Sequence, residues 1–244
     1  ETSPLTTFCW GVYDQVIQPE AVVSDWFVMS YSAKWLFNDE IFSEVLTPKE
    51  AIDKNDKRIV KSIWNLLNDS DITVSHNGDR FDIKKLNTRF LYHRINPPMP
   101  YRSIDTLKVI KNNFSFTSNK LDYVNGFLGL GQKTETDFEL WKRCFYGEEK
   151  ALKEMQEYNK NDVAILEELY VRIRGWIPNH PNLGLYIDTD DEVCKNCGST
   201  NLDWYGYYTT PLGKYQAFSC GNCGAVGRSN HNLLSLDKRK SLMR

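Results

Sequence analysis

The order of apolar and polar residues divides the chain into β-rich stretches, then alternating short strands and helices. Phe8-Cys9-Trp10-Gly11-Val12-Tyr13 reads as a strand, Asp14 to Glu20 as the turn and strand after it, and Trp26 to Ser32 as another apolar β segment. Glu1 to Pro4 reads as the turn that follows a strand. Thr47-Pro48 pairs an N-cap residue with proline at the first helical position, and the helix it opens carries Ile52, Ile59, Ile63, Trp64 and Leu67 towards a core. Asp71 to His76 is a short strand. Phe81 to Arg94 is a helix with Leu86, Phe90 and Leu91 at helical spacing, broken by Pro97, Pro98 and Pro100. Tyr101 to Ile104 is a strand, and Asp105 caps the next helix. Leu121 to Leu128 and Phe138 to Phe145 read as short helices. Glu148 to Gly175 reads as a long amphipathic helix, interrupted near Asn159 and ended by Pro178 and Pro181. The pattern is α/β.

After about Leu185 the composition shifts to Cys, Gly, Asn and Tyr and ends in a basic tail of Lys238, Arg239, Lys240 and Arg244. The expected division is one domain over 1–185 and a small module over 186–244, which suits a chain of 244 residues. A net charge of −2 argues against coating nucleic acid by bulk electrostatics, but not against an enzyme whose metal-binding carboxylates offset phosphate-binding cations. No apolar run approaches the ~20 residues of a membrane span, and no signal peptide is visible. Of six cysteines, Cys9 and Cys144 are isolated and expected to be inert, Cys9 on a buried strand and Cys144 on a helix. The other four form two Cys-x-x-Cys pairs, which fits a reducing, cytoplasmic compartment better than a disulfide framework.

Three places carry acids with distinctive neighbours: Glu1-Thr2-Ser3-Pro4, Ser75-His76-Asn77-Gly78-Asp79-Arg80-Phe81-Asp82, and Tyr158-Asn159-Lys160-Asn161-Asp162. Hydrolysis of a phosphodiester at neutral pH needs a strong nucleophile and a clamp for a charged transition state, and two divalent ions ~4 Å apart supply both. Mg²⁺ takes oxygen ligands, so such a site gathers carboxylates. Asp82 follows a predicted strand and a glycine turn and opens a helix. Tyr158 and Asp162, four residues apart, share a helix face.

These residues resemble the DEDD 3′→5′ exonucleases. Asn77-Gly-x-x-Phe-Asp82 is similar to the second motif, Tyr158-x-x-x-Asp162 to the third in its tyrosine (DEDDy) form, and Glu1-Thr2 to the tail of the first, Asp-x-Glu-Thr. Asp105-Thr106-Leu107, Leu121-Asp122-x-Val124 and Leu128-Gly129-Leu130-Gly131 with Lys133 resemble the ribonuclease H-like exonucleases related to the proofreading domain of family B DNA polymerases. The resemblance covers about Glu1 to Trp176. It implies a ribonuclease H-like mixed central sheet flanked by helices, two Mg²⁺ or Mn²⁺ ions, and release of nucleoside 5′-monophosphates. It makes Glu1, Asp82 and Asp162 metal ligands, Tyr158 the residue that positions the nucleophile, and His76 and Asn77 the lining of the nucleotide pocket. The family's first Asp would precede Glu1, so the expectation is a chain cut inside that motif; a chain truly starting at Glu1 is expected to bind metal poorly. Lys120, Lys133, Lys142 and Arg143 either touch a nucleic-acid backbone or form a solvated charged face.

Cys194-x-x-Cys197 and Cys220-x-x-Cys223 are separated by 22 residues, and each is followed by glycine, Gly198 and Gly224. Four thiolates around Zn²⁺ make a closed structural site. Asp203 to Tyr208 and Tyr215 to Ser219 read as the two strands of a hairpin, so the module looks like a zinc ribbon that needs its metal to fold. Trp204, Tyr205, Tyr207 and Tyr208 either stack on unpaired bases or pack the hairpin. His231 is a surface residue rather than a fifth ligand. The leading expectation is a single-strand 3′→5′ exonuclease, DNA before RNA. The alternatives are an inactive nuclease fold that binds nucleic acid or a replication or repair protein through its ribbon, and a structure-specific endonuclease.

Overall fold

The computed structural model describes every residue except Val12, Lys133, Glu135 and Arg244. The chain separates into two units: Glu1–Leu107 with Phe116–Glu168, and Lys108–Ser115 with Leu169–Arg244.

In the first unit, β1 (Thr6–Thr7) pairs antiparallel with β2 (Val22–Ser24). β3 (Ser30–Lys34) pairs antiparallel with β4 (Ile41–Val45), with Tyr31 opposite Glu44. β5 (Ile72–Ser75) and β6 (Arg102–Asp105) are parallel, with Ser75 opposite Asp105. Both pairing senses occur, as a mixed sheet requires, though among the described residues the ladders are separate two-stranded pairs rather than one continuous sheet. Helices α1 (Pro48–Ile52), α2 (Lys57–Asn68), α3 (Asp82–Tyr92), α5 (Leu121–Leu128) and α6 (Phe138–Phe145) lie between and after the strands. The division between units runs through α4 (Thr106–Asn113) and α7 (Glu149–Ile173).

Thr47 opens α1 with a full capping box: its hydroxyl accepts from the Glu50 N–H, and Glu50 reaches back to the Thr47 N–H. That reciprocal pair satisfies two otherwise orphaned donors. The single helix expected from Thr47 is two, broken where Lys54 takes φ +53° and Asp56 ends the turn. Asp56 is fully buried. One carboxylate oxygen accepts from the Val28 N–H at 2.8 Å, and the other meets Arg89 Nη2 and His93 Nε2, each at 2.6 Å. This polar knot fastens the start of α2 to α3 and to the Phe27–Met29 segment. Around it the core collects Phe27, Met29, Leu46, Ile59, Val60, Phe90, Leu152, Met155 and Tyr158.

Several local expectations fail for want of a partner. Phe8 to Tyr13 is not a strand: β1 ends at Thr7, and Phe8 and Trp10 stand exposed. Val12 lies outside the described residues. Cys9 is therefore exposed rather than buried in a strand. Pro19–Ala21 forms a 3₁₀ turn where a strand was expected. Leu91 is exposed, while Leu86 and Phe90 are buried. Helix α7 runs through Asn159 without interruption. Cys144 is buried, and burial pushes its thiol up to about 12, so it is unreactive at neutral pH.

In the second unit, β7 (Leu202–Thr210), β8 (Gly213–Cys220) and β9 (Val226–Arg228) form an antiparallel sheet, followed by α8 (Leu236–Lys240). The last turns of α7 belong to this unit. Asn196 donates its amide to the carbonyls of Arg174 and Ile177 at 2.7 and 3.2 Å, and Tyr170 meets His180 at 2.8 Å. Gly175 lies against the Cys223 carbonyl so closely that a Cβ would stand 2.1 Å from its oxygen.

Candidate active site and metal centre

Glu1 to Ser3 run antiparallel beside Phe27 to Ser30. The Met29 N–H donates to the Glu1 carbonyl at 2.9 Å, the Ser3 N–H donates to the Phe27 carbonyl at 2.8 Å, and Thr2 bridges Val28. The half-buried Glu1 is thus held by a ladder rather than left as a loose terminal acid.

At the end of β5 the chain turns through Asn77, at φ +69°, and Gly78 into α3. Asparagine tolerates that left-handed backbone better than most residues. Gly78 has no alternative for a different reason: a Cβ would fall 2.2 Å from Ser75 Oγ and 2.5 Å from Ser75 Cβ. The Asn77 N–H donates to Asp105 Oδ1 at 2.8 Å, and the Leu107 N–H donates to the same oxygen at 3.0 Å. Asp105 is therefore the expected cap of α4, and it also ties the Asn77 turn to β6. Asp82 is the first residue of α3, its Oδ2 lying 3.6 Å from the position of a Gly78 Cβ. The residue keeps much of its surface open to solvent, yet protein crowds the carboxyl. Partial desolvation raises its pKa, and the Glu1 and Asp105 carboxylates push it further up. Glu1, Asp82 and Asp105 thus share one electrostatic neighbourhood at the ends of the β5–β6 pair.

Lys85, one helical turn beyond Asp82, is a member of this site that sequence reading missed. Its Nζ donates to Thr2 Oγ1 at 3.3 Å and stands 3.9 Å from the Trp26 ring centre. Desolvation lowers its pKa, while Asp25 and Asp82 draw it back up. The signal was present: a carboxylate and a lysine three apart on one helix face.

Tyr158 and Asp162 lie on α7. The Tyr158 ring is buried against Trp141, edge to face at 5.8 Å between ring centres, and Asp162 is half-buried one turn on. The neighbouring loop is fastened to the same helix: Asn125 donates to the Ile165 carbonyl, the Gly131 N–H to Glu168, and Asn161 to the Gln132 carbonyl. His76 Nε2 donates to the Asn119 carbonyl at 3.0 Å, and Nδ1 meets the Thr106 hydroxyl at 2.9 Å. Lys142 and Arg143 pair with Glu139 and Glu148, consistent with a solvated charged face, and Lys120 is exposed. Lys133 lies outside the described residues.

Glu1, Asp82 and Asp162 do not form a set in which every ligand oxygen is within 4.8 Å of the others. A single-ion sphere requires that closeness. A pair of ions ~4 Å apart spans more and does not.

Among the described residues, Cys194, Cys197, Cys220 and Cys223 form the one group of three or more His, Cys, Asp or Glu that meets the 4.8 Å condition. Cys194 and Cys223 sulfurs are 3.7 Å apart, and Cys197 and Cys220 sulfurs 3.5 Å. Zn–S bonds of ~2.3 Å in a tetrahedron put sulfurs ~3.8 Å apart, so the donor set fits that ion. Gly198 at φ +74° and Gly224 at φ +72° close matching turns whose N–H groups donate to the carbonyls of Cys194 and Cys220. At Cys220 burial raises the thiol pKa, but the N–H groups of Cys223 and Asn222 and the Cys197 thiol outweigh it and bring it to about 7. Burial raises Cys194 and Cys223. His231 is exposed, as expected of a surface residue.

The first unit is mixed α/β, with Asp105 at the end of β6 and Asp82 opening the helix after β5, and the second carries four cysteines placed so that they could hold a metal ion. The sequence pattern of the RNase H superfamily matches residues 36–174, more than half of the chain, and the chain belongs to that superfamily. The matched span contains Asp82, Tyr158 and Asp162. No curated protein matches the chain. Nucleases of this superfamily use divalent metals on nucleic acid. Among the described residues no helix is long and apolar enough to cross a membrane.

Proposed function

We propose that this protein is a metal-dependent 3′→5′ exonuclease of the DEDDy type. It would shorten single-stranded ends, DNA in preference to RNA, and release 5′-mononucleotides. The observation that carries the reading is the Asp82 carboxyl, set over a turn that admits only glycine and sharing its surroundings with Glu1 and Asp105. In this reading Glu1, Asp82 and Asp162 hold two Mg²⁺ or Mn²⁺ ions. Those ions supply a nucleophile at neutral pH and a counter-charge for the departing 3′ oxygen. Tyr158 orients the attacking water, and His76 and Asn77 line the pocket of the terminal nucleotide. Lys85, beside Asp82, offers a cation to a phosphate at the same mouth. The four cysteines hold structural Zn²⁺, and residues 186–244 form the ribbon module. A direct test is metal-dependent hydrolysis of a labelled strand by the wild type beside Asp82→Ala and Asp162→Ala; full activity in either variant would remove that residue from the site.

The second reading is a nuclease fold that binds nucleic acid or a replication or repair protein through its ribbon without cleaving. Strand binding without hydrolysis in any divalent metal would select it. A circular single strand that is cut would instead select an endonuclease.

A further inference from the structure

The aromatic residues of β7 do not fill the core of the cysteine module. Tyr207 is 61% and Tyr208 44% exposed, and every residue of β7 from Asp203 to Thr209 is exposed. The small core is made instead by Cys194, Phe218, Cys220 and Ala225 with Leu202. A bulge accounts for how the rings are presented. Trp204 pairs with Phe218 and Tyr207 with Gln216, so Tyr205 and Gly206 together oppose Ala217, and Gly206 supplies the positive φ of +55°. Adjacent Tyr207 and Tyr208 then point to opposite faces of the hairpin.

Each face carries a cation on a ring. On one, Lys214 Nζ lies 3.7 Å from the Tyr207 ring centre, with Trp204 further along packed edge to face on Phe218. On the other, the Arg228 guanidinium lies 3.6 Å from the Tyr215 ring and 5.9 Å from that of Tyr208. Among the described residues neither Lys214 nor Arg228 makes an ion pair with a carboxylate. The acids and bases of the module are segregated along the chain: residues 186–192 hold three Asp and one Glu, and residues 193–244 hold seven Lys or Arg against two Asp.

We infer that this hairpin is a second nucleic-acid site, one that takes unpaired bases on Tyr207 and Tyr208 and phosphates on Lys214 and Arg228. Exposed π faces beside unpaired cations match a flexible polyanion with unstacked bases. A duplex offers no free base faces to stack, so the arrangement suits a single strand. The inference rests on the reading of the protein as an enzyme of single-stranded ends. It gives that enzyme a grip on its strand separate from the carboxylates.

The test is fluorescence anisotropy of a labelled oligothymidine strand with the full protein, in Ca²⁺ so that the strand stays intact, over a series of salt concentrations. Tyr207→Leu/Tyr208→Leu keeps bulk and removes the π faces; binding should weaken about tenfold, within the range of stacking on one or two bases. Tyr207→Phe/Tyr208→Phe should bind as the wild type does. Lys214→Ala/Arg228→Ala should reduce the slope of log affinity against log salt by about 1.4, roughly 0.7 for each phosphate contact on a single strand. The charge variant needs no aromatic packing, so it remains informative should the leucine variant lose its zinc. Unchanged affinity in the leucine variant with zinc retained, an unchanged salt slope, or a duplex bound as tightly as the single strand would each overturn the inference. Absence of 3′ shortening in Mg²⁺ would defeat the enzymatic reading alone, because binding is measured without hydrolysis.

Discussion

Gly78→Ala isolates the turn that presents Asp82. The new Cβ would sit 2.2 Å from Ser75 Oγ and 2.5 Å from Ser75 Cβ, so the β5 end and the first turn of α3 must separate. Overpacking of this kind costs ~1–3 kcal/mol. For a chain of this size that is a fall in melting temperature of about 3–10 °C. The substitution does not touch the carboxyl directly, since Asp82 Oδ2 is 3.6 Å from the built Cβ. Its effect on rate passes through displacement of the helix start, and a shift of ~1 Å in a positioned group can cost about 10²-fold. Ser75→Gly/Gly78→Ala removes the clash. Ser75 Oγ is buried without a hydrogen-bond partner among the described residues, so its loss breaks no such bond, and the double variant should recover most of the stability and rate. The assay is a thermal melt with single-turnover hydrolysis on the three variants and the wild type. Gly78→Ala melting within about 1 °C of wild type, or a double variant worse than either single change, would refute the steric argument.

Asp82→Asn should abolish hydrolysis yet raise stability in metal-free buffer at neutral pH. The folded protein raises the Asp82 pKa, so ionisation disfavours the fold; stability falls as pH rises from the unfolded to the folded pKa, and the neutral amide escapes that loss. Excess Mg²⁺ should reverse the order, because only the wild type gains from binding; a melt with and without metal checks both signs. Arg89→Met leaves the fully buried Asp56 with only the Val28 N–H and His93 as partners and should cost about 3 kcal/mol, the low end for breaking a buried pair, read from urea unfolding. Chelation or Cys220→Ser should unfold the β7–β9 module, with one zinc per chain released from the wild type in a colorimetric assay. Tyr158→Phe keeps the ring on Trp141, so stability should hold within ~1 kcal/mol while the rate falls; unfolding would assign the hydroxyl to structure.

Features carried by short-range rules were legible in the sequence. The Thr47–Pro48 helix start, the Asn77–Gly78 turn into α3, the Asp105 cap and the knuckle glycines each depend on neighbours a few residues away. The cysteine cluster was legible because tetrahedral thiolate sites impose fixed spacing. Features decided by distant partners were hidden. Asp56 breaks the helix after Asp53 because its carboxylate is claimed by Val28, Arg89 and His93. Phe8 to Tyr13 has strand composition, yet β1 has already ended and its rings face solvent. Lys85 enters the site only through the fold, which brings Thr2 and Trp26 to it. The aromatic run of β7 could be read as packing or as presentation until the bulge at Tyr205 and Gly206 fixed which way its rings point.

The central claim is that Glu1, Asp82 and Asp162 hold the metal ions for hydrolysis of phosphodiesters from a 3′ end, and one measurement addresses it directly. A 5′-labelled single strand, DNA and RNA in parallel, is incubated with the protein in Mg²⁺, Mn²⁺ or chelator, beside Asp82→Ala. The account predicts a metal-dependent ladder shortening from the 3′ end, faster on DNA and absent in the variant. A strand left whole in both metals, or a ladder undiminished by Asp82→Ala, would contradict it.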